Sequence, residues 1–140
     1  MKLLNQIQIN SLSIISLIVA LTALGYNTYR NELTEQNRNI RHAGFELLME
    51  LNELQLLTDF AHYGDDRKSA NPIKGWSHIL YINDMSYLIS TQVSTQANLL
   101  QKTWTDEWET LHTNETSNKN ITLAIKTLRN KVMDTMRRLD

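Results

Sequence analysis

Two histidines and two aspartates in or beside the segment HYGDDRKSANPIKG have the clearest capacity for chemistry in this sequence. His62, Asp65, Asp66 and His78 could together bind a metal ion or exchange protons, because imidazole and carboxylate groups are common metal ligands. Their spacing matches no recognised ligand motif, however. The sequence GDD followed by two basic residues is typical of a solvated turn, so we predict neither a metal site nor a catalytic group here.

The rest of the chain lacks the motifs of the common enzyme classes. It contains no glycine-rich phosphate loop, no H-E-x-x-H or G-x-S-x-G sequence, and no acidic calcium-binding loop. The absence of cysteine excludes disulfides and thiolate metal sites. A formal net charge of -1 gives no overall field that would attract nucleic acid or acidic substrates. We therefore expect a protein that is not an enzyme, needs no cofactor and does not bind nucleic acid.

Three tryptophans are candidates for binding a partner or a ligand. Trp104 and Trp108 are spaced to lie on one face of a helix, where such a pair could bind a partner helix or pack in the protein's own core. Tryptophan is enriched at interaction hot spots because it buries a large area with few rotatable bonds. Together with Trp76 and His78, the pair could instead line a pocket for a small ligand between helices.

The adjacent small residues Ala43 and Gly44 are a second candidate interaction site. They interrupt a helical pattern with a smooth patch, although glycine costs a helix up to about 1 kcal/mol relative to alanine. Such a patch indicates close approach by another helix. From the sequence, that helix could belong to the same fold or to a second protein.

The elements that carry these residues are predicted to be helices. The chain has 140 residues, enough for a single modest core, and contains one proline and four glycines. These few residues leave little material for turns, and the many Leu, Ile, Gln, Glu and Lys residues favour long helices over sheets. We therefore expect an all-α protein.

A long uncharged segment near the N-terminus predicts a membrane anchor. No charged residue lies between Lys2 and Arg30, and residues 12–29 would span about 27 Å as a helix, close to the hydrocarbon thickness of a bilayer. Two tyrosines stand at the end of the segment, where an interfacial aromatic belt is expected. The predicted anchor residues are Leu12, Ile14, Ile15, Leu17, Ile18, Val19, Leu21, Leu24, Tyr26 and Tyr29.

The sequence leaves open whether this segment is cleaved and on which side of the membrane the following domain lies. Ala23 and Gly25 have the small-residue spacing of a signal-peptidase site, so the segment could be a cleaved signal peptide, but only Lys2 supplies charge before it. Three arginines within residues 30–41 favour a cytoplasmic location for the following domain. A periplasmic location stays open on the same rule.

Beyond the anchor, four amphipathic segments are predicted. Leu33, Ile40, Leu47, Leu54 and Ala61 recur every seven residues, which predicts that the first helix continues from the anchor to about residue 60. The second helix is predicted to start at residue 73 or 76 and end near 89, and the third to span 96–111. The fourth is predicted to follow HTNETSN, residues 112–118, with its apolar positions running from Ile121 to Leu139.

The segment STQVSTQ, residues 90–96, is predicted to break the chain between the second and third helices. Hydroxyl-bearing residues favour helix caps over helix interiors, and Thr95 could cap the third helix. Short loops make neighbouring helices antiparallel, so the expected fold is an N-terminal transmembrane helix that continues into a short antiparallel four-helix bundle. The expected domains are a tail and anchor at 1–29, a polar helical stalk at 30–44 and a helical bundle at 45–140.

Two segments, YNTYRNELTEQNRNIRHAGFELL and AHYGDDRKSANPIKGW, carry a resemblance to other proteins. They resemble an uncharacterised group of short bacterial single-pass membrane proteins with a helical soluble domain. A looser similarity is to the periplasmic helical bundles of bacterial chemoreceptors, but this sequence lacks a second transmembrane helix and a signalling domain. The resemblance implies an architecture and a location in the bacterial inner membrane, and no activity.

These features together predict a membrane-tethered, non-enzymatic helical interaction module, such as an accessory subunit or scaffold of a bacterial membrane complex. Its expected partners are the lipid bilayer and a membrane protein. Asn37, between Leu33 and Ile40 in the stalk, could also mark the seam of a homo-oligomer. The alternative is a single-pass sensory bundle that binds a small ligand between its helices.

Overall fold

A computed structural model describes the backbone of residues 2–64 and 71–139 and the side chains of residues 10–64 and 71–139. Within these ranges every regular element is a helix, which confirms the all-α prediction and the long apolar helix near the N-terminus. The elements are α1 (Lys2–Tyr63), α2 (Pro72–Tyr87), α3 (Thr91–Glu107), a 3₁₀ turn (Trp108–Thr110) and α4 (Glu115–Arg137).

The chain divides into two compact units, Met1–Asn37 and Arg38–Asp140. The first unit consists of the N-terminal part of α1. The second contains the C-terminal part of α1 and all the other helices, and every contact between helices reported below belongs to it. The predicted boundaries at residues 29 and 44 stay a prediction.

One apolar stripe from each helix forms the core of the second unit. Apolar residues three and four positions apart lie on the same side of a helix, so each helix buries one face. The sequence pattern of α4 shows this most clearly, and its four central apolar positions are all buried. The largest fully buried side chains are Leu47, Leu51 and Leu54 of α1, Ile79 and Ile82 of α2, Val93, Leu100 and Trp104 of α3, and Ile121, Ile125, Leu128 and Val132 of α4.

Polar contacts join α1 to its two neighbours. The guanidinium of Arg41 donates to the backbone carbonyl of Leu139, just beyond α4. Further along α1, Gln55 Nε2 donates to Thr122 Oγ1 near the start of α4, at 3.1 Å. On the other side, Glu50 of α1 accepts a hydrogen bond from the His78 ring in the middle of α2. These contacts place α1 between α2 and α4.

The remaining helix pairs are joined in the same way. Asn83 Nδ2 of α2 donates to Gln101 Oε1 of α3 at 3.0 Å. At the end of α3, Glu107 accepts hydrogen bonds from Ser117 and Asn120 in the first turns of α4. Each helix of the second unit therefore packs against two others.

The predicted break before α3 is wrong in its position. The helix begins at Thr91, because Ser90 has extended backbone angles and its side chain accepts a hydrogen bond from the Val93 amide at 3.2 Å. Thr95, the predicted cap, lies inside α3 and donates from Oγ1 to the Thr91 carbonyl at 2.9 Å. The first serine of STQVSTQ therefore caps α3, and the later hydroxyl residues of the segment lie inside the helix.

The starts of α2 and α4 also differ from the prediction. Helix α2 begins at Pro72, where the fixed φ of proline suits the first helical position, and Asn71 accepts a hydrogen bond from the Ile73 amide. Helix α4 begins at Glu115, four residues before the predicted start at Lys119. Asn114 caps it by accepting from the Thr116 amide at 2.9 Å. The polar sequence before Ile121 is therefore the first turn of the helix and not a loop.

Candidate functional site

The two histidines singled out by the sequence make separate structural hydrogen bonds. His62 Nδ1 donates to the Leu111 carbonyl at 2.8 Å, and His78 Nδ1 lies 2.7 Å from Glu50 Oε1. Asp65 and Asp66 lie outside the described residues. Among the residues that are described, no group of three histidine, aspartate or glutamate side chains could hold a metal ion.

The candidate tryptophans have different environments. Trp104 is 1% exposed and lies in the core, where Gly75 of α2 leaves room for its ring. The ring of Trp76 stands edge-on to it, with ring centroids 6.5 Å apart and planes at 89°. Trp108 begins the 3₁₀ turn and is half-buried. The structure thus uses Trp104 for internal packing and leaves parts of Trp76 and Trp108 accessible.

Ala43 and Gly44 are both buried by the chain itself. A Cβ atom added to Gly44 would meet the side chain of Met136, near the end of α4, with Cγ at 3.0 Å. Of the two alternatives left by the sequence, the helix that approaches this patch is therefore one from the same fold.

A cleft of about 320 Å³ lies where the end of α1, the start of α2 and the end of α3 meet. Its walls include Ala61, Pro72, Trp104 and Trp108. The indole nitrogen of Trp104 is buried and has no hydrogen-bond partner within the described part of the chain. Two further residues predicted to line a ligand pocket lie outside this lining: Trp76 and His78.

The predicted anchor residues form an exposed apolar surface on α1. All ten are between 46% and 75% exposed. Helix α1 is the one helix in the described ranges that is long and apolar enough to cross a membrane, and none of its most apolar window is buried against the protein. These side chains therefore have no role in the protein's own core.

Three hydroxyl groups in this part of α1 are hydrogen-bonded within the helix. Ser16, Thr22 and Thr28 each donate to the backbone carbonyl four residues earlier, at 2.8–3.0 Å. A polar group that is hydrogen-bonded internally costs much less to bury in hydrocarbon than a free one. These three hydroxyl groups are thus compatible with an apolar environment.

The second unit carries a further exposed apolar surface, which the sequence did not reveal and which we call the apolar face. Its members lie on α1 and α2, are large, and are 40–77% exposed. By contrast, the exposed large hydrophobic residues of α3 and α4 in the described ranges are Leu99 and Leu123. The members of the apolar face are Phe45, Met49, Leu56, Phe60 and Tyr63 of α1 and Ile73, Leu80, Tyr81, Tyr87 and Leu88 in or directly after α2.

Helix α1 therefore has two apolar stripes on opposite sides. With 3.6 residues per turn, the five α1 members of the apolar face lie within an arc of about 60°. The buried residues Leu47, Leu51 and Leu54 are centred on the other side of the helix. One stripe stabilises the fold, and the other is left to the solvent.

A groove between α1 and α2 includes two α1 members of the apolar face, Leu56 and Phe60. Its walls are Glu53, Leu56, Leu57 and Phe60 on the α1 side and Lys74, Ser77 and His78 on the α2 side. Its volume is about 450 Å³. Exposed apolar patches on soluble domains commonly mark interaction sites, so this groove is the strongest candidate functional site in the second unit.

Charge is distributed unevenly between the two sides of the second unit. Residues 43–63 and 72–87, which carry most of the apolar face, contain five carboxylates and a single lysine, Lys74. Helix α4 has the opposite balance, with two carboxylates and five basic residues. The apolar face is thus bordered by negative charge. Its carboxylates belong to Glu46, Glu50, Glu53, Asp59 and Asp84.

One carboxylate is held by the fold at the far end of α3. Glu107 accepts hydrogen bonds from Ser117 Oγ at 2.5 Å and from Asn120 Nδ2 at 2.7 Å. These two bonds favour the charged form and lower the pKa of Glu107 from its usual 4.5. The carboxylate also lies beside the positive end of the α4 dipole. It therefore fixes the connection between α3 and α4.

Replacing Glu107 with glutamine is expected to lower the Tm by a few degrees at neutral pH. Because the folded-state pKa is lowered, the stabilisation from Glu107 is fully present above the unfolded-state pKa of about 4.3 and disappears as the pH falls through the folded value. The Tm difference from wild type should therefore shrink below about pH 4. Glu109→Gln is the control, since its carboxylate makes no hydrogen bond to any described residue. A difference that is constant with pH would contradict this role.

One feature of the sequence could have indicated the apolar face. Between Phe45 and Tyr63, α1 is apolar at more positions than a single buried stripe requires. Recognising two stripes on opposite sides of the helix would have indicated a second contact surface.

Comparison of the chain with models of protein families, with curated proteins and with solved structures finds no match.

Proposed function

We propose that this protein is a membrane-tethered, non-enzymatic helical interaction module, an accessory subunit or scaffold of a complex in the bacterial inner membrane. The observation that carries the proposal is the apolar face on a unit that already has a complete core of its own. Burying such a face against a partner is favourable by about 25 cal/mol per Å² of apolar surface. A surface of this kind suits binding and needs no reactive group.

The apolar N-terminal segment supplies the tether in this proposal. Its exposed leucines, isoleucines and valine suit a lipid environment, and its internally bonded hydroxyls lower the cost of insertion. A tether confines the second unit to the membrane surface and raises its effective concentration for partners there. A weak contact through the apolar face is thereby sufficient for association.

The proposed form of the second unit is an antiparallel four-helix bundle. Support comes from the order of the contacts: along α1, Arg41 contacts the end of α4 and Gln55 contacts its beginning. Contacts between α2 and α3 have the same reversed order, since Gly75 lies against Trp104 and Asn83 against Gln101. Short connections between the helices suit this arrangement.

The remaining parts of the proposal are location and assembly. The arginines after the apolar segment favour a cytoplasmic second unit, and a periplasmic one is the alternative. Membership of the group of short bacterial single-pass membrane proteins that the sequence resembles is part of the same proposal. A homo-oligomer through the polar stalk is compatible with it.

Photo-crosslinking in intact membranes tests the proposed function. A photoreactive amino acid at Met49 samples the apolar face, and one at Leu123 samples the side of α3 and α4; the two side chains are 62% and 63% exposed. We expect covalent adducts to a protein partner from position 49 and few from position 123. Equal yields at the two positions, or none at position 49, would show that the apolar face is not an interaction surface.

The cleft beside Trp104 favours a second candidate function, a sensory bundle that binds a small ligand between its helices. The cleft is mainly apolar, and two indole rings, those of Trp104 and Trp108, contribute to its walls. A small ligand would stabilise the folded state in proportion to its occupancy. A rise in Tm with an added metabolite, lost on replacing Trp108 with alanine, would favour this function over the first.

A further inference from the structure

We propose that the groove between α1 and α2 accepts a basic amphipathic helix from the partner protein. This inference rests on the proposed function and specifies the chemistry of the partner. It follows from the shape of the groove, from the apolar side chains in it and from the charges around it.

The apolar side chains of the groove match the pattern by which a helix binds in a groove. Leu56 and Phe60 are one helical turn apart on its α1 wall, and Met49 and Tyr63 extend the same stripe in both directions. A helix that places apolar residues at i, i+3 or i+4, and i+7 would cover this stripe. Large aromatic and aliphatic anchors of this kind usually dominate binding energy.

The charges around the groove determine which charge the incoming helix should carry. Glu53 lies in its wall, and Asp59 borders the adjoining hollow formed with Phe60 and Tyr63. Within residues 43–63 and 72–87, which carry most of the apolar face, five carboxylates face a single lysine and no arginine. Lysine or arginine residues flanking the apolar stripe of the incoming helix would therefore be attracted, and acidic residues repelled. Among the described residues of the groove wall, Lys74 is the one lysine or arginine, and the His78 ring is hydrogen-bonded to Glu50.

A second copy of this chain fits the face less well. A twofold dimer contacts itself through the same surface on both copies, so the carboxylates around one apolar face would meet those around the other. Like charges in such positions cost binding energy. The α4 helix of another copy is basic, but Leu123 is its one large exposed hydrophobic residue within the described part of the chain. It therefore lacks the apolar stripe that the groove requires.

An anionic lipid surface is also unfavourable for this face. Membrane-binding surfaces usually place lysine and arginine beside their apolar residues, because the cytoplasmic leaflet is negatively charged. The apolar residues of this face are bordered mainly by carboxylates instead. A cationic amphipathic helix would match both the carboxylates around the groove and its apolar stripe.

Peptide probes test the inference on the full-length protein in nanodiscs of zwitterionic lipid. Two fluorescent helical peptides of about 18 residues would share one leucine stripe and carry either lysine or glutamate on the polar side. Empty nanodiscs give the background. We expect the lysine peptide to bind at least about tenfold more tightly, by fluorescence anisotropy, with the preference reduced at high salt.

Charge-swap variants identify the surface responsible. Glu53→Lys combined with Asp84→Lys should remove or reverse the preference, since both side chains are exposed on the proposed surface. Asp106→Lys combined with Glu109→Lys changes the net charge equally on the side of α3 and should keep the preference. Phe60→Glu should abolish binding of the lysine peptide, and the Tm of each variant shows whether the fold is retained.

Several outcomes would overturn the inference. These are equal binding of both peptides, an unchanged preference in the Glu53→Lys and Asp84→Lys variant, crosslinks at Met49 that join two copies of this chain, or binding of anionic vesicles through Phe60. If Met49 crosslinks to another protein but the lysine peptide shows no preference, the inference is wrong and the proposed function stands. If Met49 gives no adduct at all, the proposed function itself fails.

Discussion

Replacing both Leu17 and Leu21 with arginine is expected to move this protein from the membrane fraction to the soluble fraction. An arginine near the centre of a membrane helix costs about 2.5–3.5 kcal/mol, so two cost about 5–7 kcal/mol. Both leucines are about 60% exposed, and no packing within the protein competes with lipid for them. Immunoblots of carbonate-washed membranes and of supernatant measure the distribution.

The matched control places the same two charges elsewhere. Leu99→Arg combined with Leu123→Arg introduces two arginines at exposed leucines of the second unit, and this variant should remain in the membrane fraction. Identical distributions for the two variants would contradict the anchor. Wild-type protein that begins near Tyr26 and is soluble would show instead that the segment is a cleaved signal peptide.

Helix content and the buried face of α4 could be predicted from the sequence. The scarcity of proline and glycine predicted an all-helical chain, and a three-and-four spacing placed Ile121, Ile125, Leu128 and Val132 on one side of α4, where all four are buried. This works because burying one face of a helix is the dominant requirement of a small helical core.

Helix starts were harder to predict, since they depend on which hydroxyl or amide side chain accepts a backbone hydrogen bond. Ser90 and Thr95 have similar side chains and both lie near the start of α3. Only the structure shows that Ser90 caps the helix and that Thr95 bonds back to the preceding turn. The same residue types serve both purposes, so the sequence alone did not separate them.

The candidate site, the apolar face with its groove, was harder to predict than the helices and their starts. Periodicity identifies apolar residues that share a face of α1, but it does not say which face the other helices cover. Phe45 and Leu47 belong to opposite stripes, and their order in the sequence gives no sign of it. Large aromatic residues were a poor guide as well, because Trp104 packs in the core while Phe60 is exposed. Surfaces of this kind are fixed by tertiary packing.

Substituting alanine for glycine is expected to have opposite effects at the two glycines packed against other helices. At Gly75, a Cβ atom would lie 2.7 Å from Trp104 Cη2, inside contact distance of a fully buried ring. Overpacking of this kind costs about 1–3 kcal/mol, more than the gain in helix propensity of about 1 kcal/mol. The Tm of the second unit should fall by several degrees, as measured by tryptophan fluorescence.

At Gly44 the obstacle to a Cβ atom is the side chain of Met136, which is flexible and half-buried near the end of α4. Met136 can rotate away, so Gly44→Ala should leave the Tm unchanged or raise it through helix propensity. The mechanism at Gly75 is checked by a double-mutant cycle with Trp104→Phe, whose smaller ring leaves room for the added methyl group. We expect Gly75→Ala to cost less in the Trp104→Phe background than in wild type. An equal cost in both backgrounds would show that the ring of Trp104 is not what requires glycine at position 75.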